Sequence, residues 1–413
     1  MMEPGAGNPT INILLTTSTF PRWAGDAELP FVFELASHIS SQNGFKALVL
    51  APHSPGAKTY ETVENVEIYR YRYFIERWQG LAYDGGILPK LKKNPLLYFQ
   101  VPSFIVVQWF WSVRLIRKHN VRIVHANWII PQGLLAVLLK KMYGIKCIVT
   151  GLGGDVFALR GSFLNKLKRY ITSSADIVTV VSNEMGNVLK QWSPESRVEV
   201  IPMGIIKEMF GTSSPDSRDK NAPQTRRPII LFVGRLAEKK GIRYLFEALP
   251  QIIRKFPKAT LMIVGGGVLR NELEALARKL DIDTNVVFHG PASRSDLPSI
   301  YANADVFVLP SVIASDGDSE GLPNVLCEAM FSSLPVIASN VAGVPDVIEH
   351  ERTGLLVQQK NSGEIAQSIL RLLEDPELRE RLGRNARDFA EKNLTWDVIG
   401  RRYMTLYEEL MKA

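Results

Sequence analysis

The sequence predicts an α/β protein with two doubly wound domains, each built on a mainly parallel sheet. Short runs of valine, isoleucine and leucine alternate with segments of helical periodicity, a pattern typical of parallel strands covered by helices. The alternation is interrupted over residues 211–227 by a polar stretch rich in turn formers. Because 413 residues suffice for two hydrophobic cores, we expect a first domain at 1–205, a linker at 206–227 and a second domain at 228–395.

The first domain begins with a predicted strand at 11–15, a long polar loop and a helix from Phe31 to Ile39. Doubly wound sheets bind ligands beyond the carboxyl ends of their strands, which makes this loop a candidate site. It contains Gly25 and Asp26, and Asp26 either contacts a second substrate or caps the following helix. Further strands of this domain are predicted at 47–52, 66–73, 122–128, 147–150, 175–182 and 198–204.

Polar residues follow two of these strands. His125 and Asn127 close the strand at 122–128, and Asp155 follows the strand at 147–150 in a glycine-rich turn. They are candidates for substrate contacts because the carboxyl ends of parallel strands meet at one sheet edge. A single histidine at a strand end is nevertheless more often structural than functional.

The second domain repeats the pattern. Its first strand, at 229–233, ends in a loop that carries Arg235 and Lys240 before a helix from Ile242. The glycines at 265–267 indicate a tight turn, since the full spacing of a dinucleotide fingerprint is absent. Other strands of this domain are predicted at 261–264, 286–291, 304–310, 335–339 and 354–357.

The most informative stretch runs from Glu320 to Glu328. Pro323 suits the first turn of a helix because its missing N–H would be unpaired there, and the free N–H groups of Leu322 and Asn324 then favour an anion. Carboxylates repel phosphate, so the two glutamates must accept hydrogen bonds from other groups of the same ligand, such as sugar hydroxyls. A ligand with both phosphate and polyol groups is therefore expected, and a nucleotide-sugar fits.

The two glutamates, eight positions apart in a Gly-Leu-Pro-Asn frame after a buried strand, resemble the signature of the family-4 retaining glycosyltransferases. The resemblance covers nearly the whole chain. It implies the GT-B fold, in which two Rossmann-like domains face each other across a cleft. It also implies that a last helix, at about 396–413, packs back on the first domain.

The resemblance implies roles for individual residues. Arg235 and Lys240 would bind the pyrophosphate, Glu320 the hydroxyls of the donor sugar, and Glu328 the ribose. The other donor-binding residues that it implies are His289, Gly290, Gly321, Leu322, Pro323 and Asn324. The catalytic residues that it implies are His125, Glu320, Arg235 and Lys240. The acceptor-side residues that it implies are Gly25, Asp26, Asn127 and Asp155.

Three positions depart from the family pattern, all on the acceptor side. Asp26 follows the single glycine Gly25 where a glycine pair is usual. Asn127 stands in place of a second histidine, and Leu152 in place of the histidine of a His-Gly-x-Asp element. The role of Asp26 is therefore open, and the turn at Asp155 offers mainly its carboxylate and backbone to a substrate.

The resemblance implies a retaining, metal-independent hexosyltransferase that would need no cofactor beyond its nucleotide-diphosphate sugar. Cell-surface polysaccharide or glycolipid synthesis is the process we expect. Two alternatives stay open: an epimerase of nucleotide-sugars with similar architecture, and a non-catalytic nucleotide-sugar-binding protein. The pair Asp316 and Asp318 is typical of a metal motif in the other glycosyltransferase fold, but we expect no metal because Arg235 and Lys240 already neutralise the diphosphate.

The charge of the chain is uneven. Of the net +7, residues 1–205 hold 22 Lys and Arg against 14 Asp and Glu, and the rest of the chain holds 27 against 28. This asymmetry predicts an anionic partner for the first half, either acidic lipid headgroups or a phosphorylated acceptor. Nucleic acid is not expected because no nucleic-acid-binding module is recognisable.

The most apolar segment, Leu96 to Ile116, follows Lys90, Lys92 and Lys93. Polar interruptions make a spanning helix unfavourable. Two interpretations are left: a buried helix packed on the sheet, or a helix whose aromatic face and basic flank contact a membrane surface.

The sequence favours a cytoplasmic location. Cys147 and Cys327 are the two cysteines, in different predicted domains, so no disulfide framework is expected. The first residues lack the pattern of a signal peptide. A peripheral position at the inner face of the cell membrane, with a lipid-linked or saccharide acceptor, is compatible with the basic first half.

Overall fold

The structure, a computed structural model, describes residues 10–412 except 24–25, 27–29, 84–85, 158, 160 and 211–226. Gly25 and most of the predicted linker lie outside the described residues. The chain divides into two compact units. The first comprises Met1–Val180, Gly186–Ile201 and Gly400–Ala413, and the second comprises Val181–Met185 and Pro202–Ile399.

Within the described residues, the first unit contains an eight-stranded sheet. Its strands are β1 (Ile11–Thr16), β2 (Phe45–Pro52), β3 (Tyr60–Val63), β4 (Val66–Tyr71), β5 (Val121–Asn127), β6 (Lys146–Gly151), β7 (Ile177–Val180) and β8 (Val198–Val200). Their order is β3-β4-β2-β1-β5-β6-β7-β8, with every neighbouring pair parallel except β3 and β4. The sequence missed β3 because this edge strand is largely exposed and has no apolar alternation.

Helices follow most of these strands. They are α1 (Phe31–Ser41), α2 (Ile87–Lys93), α3 (Gln100–His119), α4 (Leu134–Tyr143), α5 (Gly154–Phe157), α6 (Ser162–Ser174) and α7 (Asn183–Trp192). The central strands are buried along most of their length because helices cover the sheet.

The second unit contains a six-stranded sheet within the described residues. Its strands are β9 (Ile229–Val233), β10 (Thr260–Val264), β11 (Val286–Gly290), β12 (Val306–Leu309), β13 (Val336–Ser339) and β14 (Leu355–Val357). The order is β11-β10-β9-β12-β13-β14, and every pair is parallel. Because parallel strands end at the same sheet edge, the loops after β9, β10, β11 and β12 come together there.

The remaining helices are α8 (Lys207–Phe210), α9 (Ile242–Lys255), α10 (Arg270–Lys279), α11 (Leu297–Asn303), α12 (Asn324–Phe331), α13 (Ser362–Glu374), α14 (Pro376–Asn393) and α15 (Trp396–Lys412). From Gly400 onward, α15 belongs to the first unit. The predicted fold class is confirmed: each unit is a helix-covered α/β structure on a mainly parallel sheet.

Candidate functional site

Two loops of the second unit lie side by side because their strands are neighbours. Strands β9 and β12 pair in parallel, so the loop after β9 and the loop after β12 leave the same sheet edge. The backbone N–H of Val312 donates to the carbonyl of Lys239 at 2.8 Å. Gly241 has a φ of +60°, and a Cβ there would lie 1.9 Å from the carbonyl oxygen of Pro310. Only glycine allows the two loops to approach this closely.

The close packing of these two loops places Lys240 beside Glu320. The Nζ of Lys240 lies 3.3 Å from Oε1 of Glu320, and the Nζ of Lys239 lies 3.9 Å from the same oxygen. Burial disfavours the ionised form of Glu320, but the charges of Lys240, Lys239 and Arg235 outweigh burial and hold its pKa below the ordinary value. Glu320 is therefore an ionised, largely buried hydrogen-bond acceptor beside a cluster of cations.

Neighbouring contacts, which sequence reasoning missed, fix the two loops to each other. The Nζ of Lys239 lies 3.0 Å from Oδ2 of Asp318. Glu238 accepts hydrogen bonds from the backbone N–H and the hydroxyl of Ser315, both at 2.8 Å. The adjacent lysines at 239 and 240 were visible in the sequence, but only the packed loops show which carboxylate each one meets.

The glutamate stretch continues into the start of α12. Pro323 is the N-cap in an extended conformation and Asn324 is the first helical residue, so the prediction that placed Pro323 in the first helical turn was wrong by one position. The carbonyl of Gly321 accepts from the N–H of Gly343 at 2.8 Å. Leu322 and Pro323 are buried, and Asn324 is half-buried.

Glu328 lies in the second turn of α12 and has a partner of its own. The hydroxyl of Tyr301, on α11, donates to its Oε2 at 2.9 Å. Burial raises the pKa of Glu328, although the Tyr301 hydrogen bond and the charge of Arg294 lower it in part. Tyr301 is fully buried, and no local pattern in the sequence signalled its role as an orienting residue.

His289 and Gly290 close β11, the edge strand of this sheet. His289 is exposed, and Gly290 has a φ of +84° with open space around its Cβ position. The carbonyl of Gly290 accepts from the N–H of Gly265 at 2.9 Å. A Cβ on Gly265 would lie 2.0 Å from the carbonyl oxygen of Gly234, so this glycine allows one strand-end loop to pack on the next.

In the first unit, His125 is fully buried and both of its ring nitrogens have partners. Nδ1 lies 2.7 Å from the hydroxyl of Tyr407, and Nε2 lies 2.6 Å from the hydroxyl of Thr150. Thr150 in turn meets the hydroxyl of Thr179 at 2.6 Å. Burial lowers the pKa of His125 to about 3, so the imidazole is neutral. These contacts tie α15 to the sheet, and the catalytic role of His125 stays a prediction.

The variant His125→Phe is expected to lower the free energy of unfolding by about 2–4 kcal/mol at neutral pH, because buried hydroxyls lose their partner. Unfolded histidine titrates near 6.5, so the stability contributed by the neutral imidazole is complete above that pH and is lost as the pH falls toward about 3. The difference between wild type and variant should therefore shrink by roughly 2 kcal/mol at pH 5. Denaturant unfolding at both pH values measures this.

The variant Tyr407→Phe is the matched comparison, since it removes the same hydrogen bond from the other side. A His125→Phe protein that unfolds like wild type at neutral pH but has lost turnover would contradict the structural role and support the catalytic one.

The other predicted acceptor-side residues also bind backbone or side-chain groups of the first unit. Asp155 is buried and accepts from the N–H groups of Ile129 (2.9 Å), Leu152 (3.0 Å) and Gly153 (3.1 Å). Burial still raises its pKa. The amide of Asn127 is buried and donates to the carbonyl of Thr16 at 3.4 Å. Contact with a substrate stays a prediction for both residues.

Asp26 forms a bidentate ion pair with the side chain of Arg22, with contacts of 2.8 Å to both carboxylate oxygens. It does not cap the following helix, because the N-cap of α1 is Pro30 and no side chain bonds there. The capping alternative was therefore wrong, and the contact of Asp26 with an acceptor stays a prediction.

Among the described residues, no group of three or more His, Cys, Asp or Glu side chains is arranged to hold a metal ion. Asp318, from the acidic pair considered as a metal motif, meets the ammonium group of Lys239. Both cysteines are buried free thiols, and burial raises the pKa of each to about 12.

Comparison with known proteins assigns the chain to a family. Residues 31–208 match the family model described as Glycosyltransferase Family 4, and residues 213–389 match the model described as Glycosyl transferases group 1. A relative from Mycobacterium tuberculosis, GDP-mannose-dependent alpha-(1-6)-phosphatidylinositol monomannoside mannosyltransferase, is 30% identical over 392 residues, 94% of this chain and 95% of the relative. N-acetyl-alpha-D-glucosaminyl L-malate synthase of Bacillus anthracis is 26% identical over 80% of this chain and 86% of its own.

The fold has counterparts among solved structures. Sucrose-phosphate synthase from Thermosynechococcus elongatus matches with a TM-score of 0.79 and 25% identity, covering 97% of this chain and 99% of that one. The prediction of the GT-B fold is confirmed, as is the prediction of hexosyltransferase activity, and the epimerase and binding-protein alternatives are not favoured. The chain belongs to glycosyltransferase family 4, among the group 1 glycosyl transferases.

Proposed function

We propose that the protein transfers a hexosyl group from a nucleotide-diphosphate sugar to the hydroxyl of a lipid-linked acceptor, with retention of the anomeric configuration and without a metal ion. The contact between Lys240 and Glu320, 3.3 Å long, carries this proposal. It holds a cation suited to phosphate and a carboxylate suited to sugar hydroxyls at one strand-end edge.

The cations would stabilise the negative charge of the leaving group. Breaking the bond between the sugar and the nucleotide diphosphate leaves an extra negative charge on the phosphate. Arg235 and Lys240, with the N–H groups at the start of α12, stabilise that charge as fixed dipoles and charges of the protein do in other enzymes. The two cations and the open helix start supply the kind of charge stabilisation that a metal ion provides in other enzymes, which supports the metal-independent assignment.

The carboxylates would accept hydrogen bonds from the hydroxyl groups of the donor. Glu320 is kept ionised by its cationic neighbours, so it can accept hydrogen bonds from hydroxyls of the donor sugar. Glu328, oriented by Tyr301, would accept from the ribose. Hydrogen bonds to a charged acceptor contribute about 1.5–3 kcal/mol each, which is enough to position the anomeric carbon for attack.

The reaction step that we propose takes place on one face of the sugar. The bond between the anomeric carbon and the diphosphate oxygen breaks as the acceptor oxygen bonds to that carbon from the same side. The acceptor proton passes to the departing phosphate oxygen, and a nucleotide diphosphate leaves. Front-face attack retains the configuration without a covalent glycosyl-enzyme, which a carboxylate nucleophile would require.

The names of the relatives direct the choice of substrates. The mycobacterial relative is named for GDP-mannose and a phosphatidylinositol mannoside, so GDP-mannose and a glycolipid are the first pair to test. The Bacillus anthracis relative is named for L-malate, so a small soluble acceptor is the comparison. A lipid-linked acceptor fits a cytoplasmic enzyme at the inner face of the membrane.

Acceptor-dependent release of nucleotide diphosphate tests the proposal. The wild type is incubated with a panel of nucleotide-sugars, with each acceptor in turn, with and without EDTA. Glu320→Gln keeps the side-chain volume but removes the charge, and we expect it to lower turnover by roughly tenfold to a few hundredfold. The control Glu349→Gln, at an exposed glutamate of the same unit, should leave turnover unchanged.

Each other outcome has a distinct meaning. Turnover that Glu320→Gln does not change would overturn the assignment of this residue. A new sugar formed without release of nucleotide diphosphate would point to an epimerase, and binding without either reaction would point to a binding protein. Inhibition by EDTA would overturn metal independence, and an inverted product would overturn retention.

A further inference from the structure

Helix α3 and the 3₁₀ turn before it, Pro95–Phe99, carry large apolar side chains on the exposed face as well as on the buried face. The glutamines Gln100 and Gln108 face the protein interior and are buried. Outside, Phe99 is 78% exposed, and Val106 and Phe110 are each 64% exposed. Most surface helices bury their apolar face, so this arrangement requires a physical reason.

The inner face of α3 is held by specific contacts. The amide of Gln100 donates to the carbonyl of Trp78 at 2.8 Å, and the hydroxyl of Tyr71 donates to the amide oxygen of Gln108 at 3.3 Å. The ring of Phe104 packs against Tyr71 and Tyr73, with centroid distances of 5.5 and 5.1 Å. Rotating the helix to bury its outer phenylalanines would break these contacts, so the exposed aromatic face is part of the fold.

The exposed residues form one continuous surface. Phe99, Pro102, Val106 and Phe110 follow one another at intervals of three, four and four residues, which places them on one face of the helix. We call these four residues the α3 stripe. Leu96, in the preceding turn, is also exposed. A contiguous apolar surface of this kind is typical of an interaction site.

The charge around the stripe identifies the kind of partner. Residues 87–120 contain six Lys and Arg and no Asp or Glu. Lys92 and Lys93 are exposed before the stripe, and Arg114 and Arg117 are exposed after it. An apolar face with basic residues at both ends is complementary to a surface that is apolar inside and anionic outside, which describes a bilayer with acidic headgroups.

The geometry decides how such a helix would meet a bilayer. By length and composition, Pro95–His119 could cross a membrane, and it is the one such stretch among the described residues. However, its inner face is buried against the sheet from Gln100 to Ile116. Because that side packs on a folded sheet that cannot enter the bilayer, only the outer side of α3 could contact lipid, and the helix would lie parallel to the membrane plane.

We propose that the α3 stripe inserts into the headgroup region of an anionic bilayer, with α3 parallel to the surface and the flanking lysines and arginines at the phosphates. This deepens the proposed function, because an enzyme held at the membrane meets a lipid-linked acceptor in two dimensions. The binding itself does not depend on turnover.

Co-sedimentation with vesicles tests the inference. The full-length protein is mixed with vesicles of phosphatidylcholine alone or with added phosphatidylglycerol, at low and high salt. We expect binding to the anionic vesicles that falls as salt rises. The double variant Phe99→Ser/Phe110→Ser should lower the partition coefficient by roughly tenfold or more, since two large apolar side chains no longer leave water.

Matched controls separate the stripe from general effects. Phe163→Ser, on α6 of the same unit, removes a phenylalanine that is 76% exposed and should leave binding unchanged. Lys92→Gln/Lys93→Gln should weaken binding mainly at low salt, whereas Lys258→Gln/Lys279→Gln, at exposed lysines of the second unit, should not.

Several results would overturn the inference: no vesicle binding at low salt, equal loss in the Phe163→Ser control, or a self-association in solution that the stripe variant abolishes. The last result, from light scattering without vesicles, would make a second copy of the chain the occupant. Turnover on a water-soluble acceptor should be unaffected by the stripe variant. Vesicle binding without any turnover would contradict the proposed function alone.

Discussion

Replacing Lys240 with methionine is expected to lower kcat/KM for the nucleotide-diphosphate sugar by roughly tenfold to a few hundredfold. Lys240 has two tasks in the site. Its charge would stabilise the departing diphosphate, and its ammonium lies 3.3 Å from the Glu320 carboxylate. Methionine keeps the length of the side chain and its packing but performs neither task, so the loss reports the charge rather than the volume.

The pH dependence of this variant provides a second measurement. Cations hold the pKa of Glu320 below its ordinary value against the effect of burial. Without Lys240, burial has less opposition and the pKa rises. Activity that requires the Glu320 carboxylate falls as the pH drops through that pKa, so the acid limb of the kcat/KM profile should move to higher pH in the variant.

Lys239→Met is the comparison for Lys240→Met. Lys239 lies farther from Glu320, at 3.9 Å, and pairs with Asp318 at 3.0 Å. We expect a smaller loss and a smaller shift of the acid limb. If the two variants lost activity equally and neither profile moved, the proposed direct role of Lys240 at the diphosphate would be wrong.

The second large effect is expected from Gly241→Ala. A Cβ at this position would overlap the carbonyl oxygen of Pro310, at 1.9 Å, in addition to the cost of a φ of +60°. The loop that carries Lys240 and the loop that carries Glu320 must then separate. We expect the free energy of unfolding to fall by about 3–5 kcal/mol and the affinity for the nucleotide-sugar to fall by at least tenfold.

Gly144→Ala isolates the backbone contribution. Gly144 has a φ of +65°, nearly the same as Gly241, but nothing lies within 4 Å of its Cβ position. This control should cost about 1 kcal/mol and leave donor affinity unchanged. Denaturant unfolding and calorimetric titration of the nucleotide-sugar measure both effects. Equal costs for the two variants would show that the close approach at Pro310 does not constrain the site.

The fold followed from local patterns. Buried parallel strands are continuous apolar runs, so their positions, and the positions of the loops between them, could be read from residues such as those of β9 and β12. The parallel arrangement then placed Arg235, Lys240 and Glu320 at one edge, because parallel strands end together. The exposed strand β3 was missed because it has no run of apolar residues that would indicate a buried strand.

The partners of the site residues did not follow from local patterns. His125 meets Tyr407, which is 282 positions away, and Glu328 meets Tyr301 on another helix. Hydrogen bonds between distant segments depend on how helices pack on the sheet. The pairing of Lys239 with Asp318 and of Lys240 with Glu320 likewise depends on two loops that meet only after folding.

The sequence by itself determined the two-sheet architecture and the family, because each depends on residue type at fixed spacing, and it predicted the residues of the donor site. Only the tertiary structure decided which face of α3 is outside. That helix has apolar residues on its exposed face as well as on its buried face, so the spacing of apolar residues in the sequence does not identify the buried side. Contacts of Gln100, Phe104 and Gln108 with the adjacent strand and turn residues fix its rotation and leave the α3 stripe exposed.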